Sequence, residues 1–194
     1  MTIAITGATG HLGRLALAAL KSRAPQADVV ALARDAQADL GVPVRAFDYT
    51  KSETLAPALA GIKTLVLISS NDFNDRAGQH LGVINAAKAA GVARIVYTSI
   101  LKGDTSPMIL AQDHIATEAA LKASGLAVTL LRNGWYTENY TSSLKASVEH
   151  GALIGASGEG RIAAAARADY AEAIAVTALD DSTTGKTYEL AGDV

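Results

Sequence analysis

The chain has no cysteine among its 194 residues, which excludes disulfide bonds, thiolate metal sites and cysteine nucleophiles. Aromatic residues make up only 5% of it, and tryptophan occurs once. No apolar run is long enough to span a bilayer, and the first residues lack a signal-peptide pattern. With a formal net charge of −2, the chain offers no basic field to nucleic acid or anionic lipid. We therefore expect a cytoplasmic protein that binds neither nucleic acid nor membranes.

Hydrophobic residues are abundant at 49%, against 19% charged residues, which is typical of a globular chain. The length favours a single domain over residues 1–194. Apolar, β-branched runs predict strands at 2–6, 28–34, 43–48, 63–70, 93–99, 127–133 and 186–192. Helical patterns lie between them, at about 11–23, 51–60, 77–90, 110–124, 137–149 and 168–180. This alternation predicts an α/β fold with a doubly wound parallel sheet, the Rossmann arrangement.

One region interrupts the alternation. The stretch "GALIGASGEGRIAAAAR" (151–167) combines several glycines with short apolar pieces. Such a composition predicts a small hairpin or an irregular excursion rather than another crossover helix.

Three glycines stand where the first predicted strand becomes a helix, in "ITGATGHLG". Gly7 can turn tightly, Gly10 lets a diphosphate approach the backbone, and Gly13 lets the helix pack closely on the strand. The helix then presents free N–H groups to the phosphates. The pattern predicts nucleotide binding, with a purely structural turn as the alternative. The buried face of this helix should contain Leu12, Leu15 and Leu20.

The residue at the tip of the second strand bears on the choice of cofactor. In dinucleotide folds an acid there binds the ribose 2′-hydroxyl, whereas an arginine accommodates a 2′-phosphate. Arg34 occupies the tip, and Asp35 follows it. We expect NADP(H) to be preferred over NAD(H), with a solvated Arg34 as the alternative.

Several segments extend this interpretation. The spacing in "TGATGHLG" resembles the extended and atypical short-chain dehydrogenases/reductases. The stretches "VINAAKAAGVARIVYTSIL", "TLLRNGWYTENY", "RADYAEA" and "YELAG" resemble their NmrA-like branch, and within it the bacterial NAD(P)H:quinone oxidoreductases of type 2. Members usually continue past "YELAGD" into a segment that covers the substrate cleft. The sequence is thus expected to be either a fragment or a compact form without that segment.

The resemblance implies NADPH lying across the carboxyl ends of the strands. The diphosphate would lie on Gly7, Ala8, Thr9, Gly10, His11, Leu12 and Gly13. Further implied positions are Arg34 for the 2′-phosphate, Asp48 and Tyr49 near adenine, Ser69, Ser70, Thr98 and Ser99 below the ribose and nicotinamide, and Asn133, Gly134, Trp135, Tyr136, Glu138 and Asn139 beside the nicotinamide. Arg76 and Arg167 are candidates for phosphate or carboxamide, each with a solvated arginine as the alternative.

The Tyr-x-x-x-Lys motif of typical short-chain dehydrogenases is absent. On the expected helix, "QDHIATEAAL" places His114 and Glu118 at the corresponding spacing. Positions i and i+4 share a helix face, so we expect these two side chains to pair. His114 could assist catalysis because imidazole titrates near neutral pH, or it could be a surface histidine. Tyr136 is the second catalytic candidate. The scattered histidines predict no metal site.

The leading hypothesis is hydride transfer from NADPH to a quinone, whose reduced anion is stabilised and needs no strong general acid. The resemblance also allows a redox sensor that binds NADP(H) without turnover. A reductase of another conjugated carbonyl is a third alternative, and a homodimer stays open.

Overall fold

The computed structural model describes residues 2–193. Its strands are β1 (Thr2–Ile5), β2 (Asp28–Ala33), β3 (Val44–Ala46), β4 (Thr64–Leu67), β5 (Arg94–Ile100), β6 (Ala127–Asn133), β7 (Trp135–Tyr136), β8 (Ala164–Ala165) and β9 (Thr187–Leu190). Its helices are α1 (His11–Arg23), α2 (Ser52–Ala58), α3 (Arg76–Ala89), α4 (Ala111–Ala123), α5 (Glu138–Thr141), α6 (Leu144–His150) and α7 (Arg167–Leu179). Short 3₁₀ turns lie at Gly103–Thr105 and Asp181–Thr183.

Seven of these strands form one parallel sheet in the order β3-β2-β1-β4-β5-β6-β9. The central strands are buried without alternation, and every residue of β5 is buried. Such a pattern arises because helices cover both faces of a parallel sheet. The carboxyl ends of the strands therefore meet at one edge, where loops from β1, β2, β4 and β5 converge.

Two hydrophobic cores lie on opposite faces of the sheet. On one face α1 and α7 pack together, with Leu17 and Ile174 fully enclosed. On the other face α2, α3 and α4 cover a cluster that includes Leu65 and Tyr97. Each helix can bury its apolar side only against the sheet, so both faces are needed. The predicted doubly wound α/β fold is confirmed.

Three local expectations need correction. Leu15 was expected in the buried face of α1 but is 37% exposed, because Ala16 and Leu17 occupy the side that faces the sheet. The single helix expected over 137–149 is divided into α5 and α6. A hairpin within 151–167 is wrong, because β8 instead pairs in parallel with β7.

The rest of that segment is irregular. Residues 151–163 lie outside any helix or strand and are largely exposed, with Ile154 almost wholly in solvent. Within residues 2–193, no helix has both the length and the apolar character that a bilayer crossing requires.

Candidate active site at the carboxyl ends of the strands

The glycine turn after β1 has the geometry of a diphosphate cradle. Gly7 takes a left-handed φ of +60°, and its carbonyl accepts the Gly10 N–H at 2.9 Å. A Cβ on Gly13 would lie 2.2 Å from the Gly7 oxygen, so only glycine fits between strand and helix. Gly10 is the N-cap of α1, and the first turn carries no acidic side chain. The positive end of α1 is thus open to an anion.

The residues of this turn divide into two groups. Ala8 and Leu12 turn their side chains into the core, so they can offer a ligand only their backbone. Thr9, Gly10 and His11 are exposed and form the rim of the cradle.

The tip of β2 brings a cation to the same edge. Arg34 is exposed directly after β2, next to the glycine turn because β1 and β2 pair in register. Asp35 is already engaged, since its carboxylate accepts the Gln37 N–H at 2.9 Å. Hydrogen bonds from Thr50 lower the pKa of the Asp48 carboxyl, and Arg34 contributes to the same lowering. The exposed guanidinium is therefore accessible to a ligand at this edge of the sheet.

Tyr49 connects two segments at this edge of the sheet. Its phenol donates to the Ile68 carbonyl at 2.7 Å, and burial raises the pKa of this phenol. Its hydroxyl is therefore a structural tie between the loop after β3 and the end of β4, while its ring stays half-buried.

The hydroxyl groups at the ends of β4 and β5 mostly have protein partners. The Ser69 N–H donates to Thr98 Oγ1 at 2.9 Å, and Ser70 Oγ donates to Gln79 Oε1 at 2.7 Å. Ser99 Oγ donates to Glu118 at 2.6 Å. These side chains line the edge of the sheet at the carboxyl ends of β4 and β5.

Arg76 is buried, so the alternative of a solvated arginine is wrong for it. Its Nε donates to the Ser70 carbonyl at 2.6 Å, and its guanidinium lies 3.3 Å from Asp113 and above the Phe73 ring. This cation stands at the start of α3, directly behind the end of β4.

His114 and Glu118 do not pair with each other as expected. Glu118 instead receives two hydrogen bonds from Arg132, at 2.9 and 2.7 Å, in addition to that from Ser99. Burial alone would raise the pKa of the Glu118 carboxyl, but these donors outweigh it and lower the pKa. The reason is that β6 places Arg132 beside Glu118, a contact between two different elements that helical spacing does not reveal.

His114 is buried, so it is not a surface histidine, and its Nδ1 lies 2.8 Å from the Tyr97 hydroxyl. Burial lowers the pKa of His114 to about 4; Arg76 acts in the same direction and Glu118 opposes it. The expectation of titration near neutral pH is therefore wrong, and the imidazole is neutral there.

A second group of the predicted residues comes together after β6. Asn133 Nδ2 donates to the Tyr136 hydroxyl at 3.2 Å, while Asn133 Oδ1 is buried and has no partner among the described residues. The guanidinium of Arg167 lies 4.5 Å above the Tyr136 ring. Burial raises the pKa of the Tyr136 phenol, so it stays protonated at neutral pH.

Arg167 is tied into this group rather than solvated. Its backbone N–H donates to the Glu138 carboxylate at 3.0 Å, and its side chain donates to Asn139 at 3.1 Å. Gly134 closes the group, because its N–H donates to the Leu190 carbonyl at 2.7 Å. Trp135 is 42% exposed beside these residues and near Tyr140.

Sequence reasoning missed three polar residues that organise this edge: His80 and Tyr97, which are buried, and Arg132, which is partly buried. The signals were weak, because the strands of Tyr97 and Arg132 each contain other polar residues, so that neither residue stands out in the sequence. Their partners lie on other elements and could not be inferred from spacing. Among residues 2–193, no group of three or more His, Asp or Glu side chains is arranged to hold a metal ion.

Comparison with known proteins agrees with this geometry. A family model described as NAD(P)H-binding matches residues 7–181, from the glycine turn to the end of α7 and beyond. The chain belongs to the NAD(P)H-binding family. This family membership accounts for the open helix end and the glycine cradle.

Within the family, the chain is 52% identical to quinone oxidoreductase 2 of Escherichia coli K12, over 98% of this chain and 68% of that protein. The crystal structure of that NADPH-dependent enzyme, complexed with NADPH, superposes on this chain with a TM-score of 0.92. The superposition covers 98% of this chain and 69% of the enzyme's chain. The triphenylmethane reductase of Citrobacter sp., complexed with NADP(H), is 35% identical with a TM-score of 0.94, over 100% of this chain and 71% of that one.

An NmrA-like family domain-containing oxidoreductase of Aspergillus flavus, flvB, is 36% identical over 72% of this chain and 50% of that protein. The resemblance to the NmrA-like branch is confirmed.

Proposed function

We propose that this chain transfers a hydride from NADPH to a quinone. The observation that carries the proposal is the 52% identity to an NADPH-dependent quinone oxidoreductase over nearly the whole chain, with the same fold at a TM-score of 0.92. We place this activity in the cytoplasm, in one cofactor-binding domain over residues 1–194 with no nucleic-acid partner. The net charge of −2 supports the last point.

The residues present fit a nicotinamide dinucleotide. The cradle of Gly7, Gly10 and Gly13 is too narrow for a Cβ at Gly13 and leaves the start of α1 uncapped, as a diphosphate requires. The unpartnered Asn133 Oδ1 is a buried acceptor beside the proposed nicotinamide position. When bound, NADPH supplies the hydride.

Each group of residues has a separate task in this proposal. The exposed Thr9, Gly10 and His11 hold the diphosphate with their backbone, and Arg34 binds the 2′-phosphate. Further binding residues are Gly7, Ala8, Leu12, Gly13, Asp48, Tyr49, Ser69, Ser70, Arg76, Thr98, Ser99, Asn133, Gly134, Trp135, Glu138, Asn139 and Arg167. Most of them act by shaping the edge, because their polar atoms already have protein partners.

The two catalytic candidates act as neutral donors. Tyr136 keeps its phenolic proton and His114 keeps a neutral imidazole, because burial opposes ionisation of both side chains. Neither can serve as a strong acid at neutral pH. A quinone suits such a site, because its reduced oxygen is a stabilised anion that needs orientation and hydrogen bonding more than protonation.

The test is oxidation of NADPH, followed by its absorbance, with a benzoquinone, a naphthoquinone and a conjugated enone. We expect steady oxidation with the quinones and little with the enone. Turnover of the enone alone would assign the chain to another conjugated carbonyl. Tight binding of NADPH with no turnover of any acceptor would identify a redox sensor and refute the proposal.

A further inference from the structure

Three buried rings stand in a row between the sheet and the helices α3 and α4, and the first of them accepts a hydrogen bond from the Ser70 N–H after β4. His80 on α3, Tyr97 on β5 and His114 on α4 have ring centroids 5.4 and 5.9 Å apart in that order. None of the three has more than 6% of its surface exposed. Because rings in such a place exchange few hydrogen bonds with water, their proton positions are set by their protein partners.

The partners of His80 determine where its proton lies. The backbone N–H of Ser70 can only donate, and it lies 2.9 Å from His80 Nε2, which must therefore accept. The proton of the neutral ring is then on Nδ1, 2.9 Å from Thr117 Oγ1. Thr117 is free to accept it, because its own hydroxyl proton goes to the Asp113 carbonyl at 2.8 Å.

This arrangement leaves His114 as the histidine that can accept a proton from Tyr97. The Tyr97 hydroxyl lies 3.5 Å from His80 Nδ1, which carries a proton and cannot accept another. It lies 2.8 Å from His114 Nδ1, the shorter of its two contacts with the histidines. If the phenol donates its proton at this shorter contact, His114 Nδ1 is the acceptor and the remaining imidazole proton is on Nε2.

We propose that Tyr97, supported by His80, is a positioning residue that holds His114 as a neutral imidazole with its proton on Nε2. The use of this proton rests on the proposed quinone reduction. Hydride addition brings two electrons and one hydrogen to the quinone and leaves a negative charge on a carbonyl oxygen. The Nε2–H stabilises that oxygen by a hydrogen bond without leaving His114, and water supplies the proton that completes the hydroquinone.

The charges around His114 support the neutral form. Arg76 and His80 face it from α3, Tyr97 from β5, and Asp113 and Glu118 belong to its own helix. Burial and Arg76 disfavour the imidazolium. Glu118, a buried carboxylate on the same helix, acts in the opposite direction, but its charge is paired with Arg132.

Nitrogen NMR of the apo protein tests the proton positions directly. With ¹⁵N-labelled histidine, the two ring nitrogens of each imidazole are distinguished by their shifts, and His→Gln variants assign the four histidines. We expect an unprotonated Nδ1 and a protonated Nε2 in His114, and the reverse in His80, between pH 6 and 8. A proton on Nδ1 of His114, or titration of this ring within that range, would overturn the proposal.

Tyr97→Phe removes one oxygen from a buried ring and so tests the positioning role. We expect the His114 spectrum to show both tautomers and kcat with a quinone to fall about three- to tenfold, with KM nearly unchanged. Tyr188→Phe, in β9, is the matched control and should change neither. An unchanged His114 spectrum in Tyr97→Phe would contradict the role of Tyr97.

The two proposals fail in different ways. If the wild type shows the expected tautomers but oxidises NADPH with no quinone, the proposed function is wrong and the positioning by Tyr97 stands. If it reduces quinones while His114 carries its proton on Nδ1, the proposed function stands and the positioning role is wrong.

Discussion

Gly10 and Gly13 differ in what a methyl group would meet. A Cβ on Gly13 would lie within 3 Å of three backbone atoms of the turn after β1, whereas a Cβ on Gly10 meets only the Gly7 oxygen, at 3.2 Å. We expect Gly13→Ala to lower the free energy of unfolding by about 1–3 kcal/mol. Gly10→Ala should fold normally and bind NADPH at least about tenfold more weakly, because its methyl group would occupy the side of the turn where we propose that the diphosphate lies.

Urea unfolding and calorimetric titration with NADPH measure the two effects. Each variant is the control for the other, since both add one methyl group to the same turn. Unchanged NADPH affinity in a folded Gly10→Ala protein would contradict the assignment of the diphosphate site.

Arg34 should determine the preference for NADPH. A phosphate charge of about −1.5 to −2 meets an exposed guanidinium there, and a preference of about tenfold corresponds to about 1.4 kcal/mol. Arg34→Ala should remove most of this preference by weakening NADPH, with NADH almost unaffected. Arg161→Ala, an exposed arginine in the irregular segment, is the control. Equal affinity of the wild type for both cofactors would refute the prediction.

For single residues, the sequence predicts those features that depend only on neighbouring residues in the chain. The glycine turn needs only its neighbours in sequence, so its conformation could be predicted from "TGATGHLG". The partners of His114 and Glu118 could not, since Tyr97 and Arg132 reach them from β5 and β6. Helical spacing places the two side chains on one helix face, but each of them forms its hydrogen bond with a residue of the sheet instead.

At the scale of elements, Arg132 connects β6 to three other parts of the chain. It contacts Glu118 on α4, Glu189 on β9 and Asp104 in the 3₁₀ turn. A Cβ on Gly103 would lie 2.3 Å from the guanidinium carbon. Gly103 therefore leaves room for a cation that joins these elements.

We expect Gly103→Ala to displace Arg132 and to lower the free energy of unfolding by more than its backbone strain. Gly125→Ala is the control, because Gly125 also has a positive φ, of +78°, but a Cβ there meets nothing within 4 Å. The strain alone costs roughly 1–2 kcal/mol, and the displaced side chain should add about 1–3 kcal/mol in Gly103→Ala. Urea unfolding of both variants measures the difference, and equal losses would show that Arg132 moves freely.

The elements that sequence failed to predict are those made by distant contacts. β7 and β8 are two residues each, too short for any periodic pattern, and their pairing depends on how Arg167 and Glu138 join the flanking helices. The break between α5 and α6 has no proline or glycine to announce it. By contrast, α1 was predicted at its observed bounds because glycine, apolar spacing and a basic last turn all agree there.

For the whole molecule, two buried neutral histidines make the free energy of unfolding depend on pH. Folding lowers the pKa of His80 to about 3 and of His114 to about 4, chiefly by burial, from about 6.5 in the unfolded chain. At a pH between the folded and the unfolded pKa of each histidine, the unfolded chain binds more protons than the folded chain. The free energy of unfolding therefore decreases as the pH falls below about 6.5. At pH 5 the loss should be about 2 kcal/mol for each histidine.

Urea unfolding at pH 7 and pH 5 measures this loss. His114→Gln should reduce the loss by about half, whereas His150→Gln, at an exposed position, should leave it unchanged. Carboxyls with a lowered pKa, such as Glu118, add their own loss at lower pH, below about 4.5. A His114→Gln protein as acid-sensitive as the wild type would contradict the prediction.

The sheet order also has a consequence for how the protein is made. β6 exposes one edge until β9 pairs with it, and about fifty residues separate the two strands in sequence. At a synthesis rate of about 5–20 residues per second, the ribosome needs about 3–10 s to add them. During that interval the growing chain presents an unpaired strand edge, which is the kind of surface that chaperones bind and that drives aggregation.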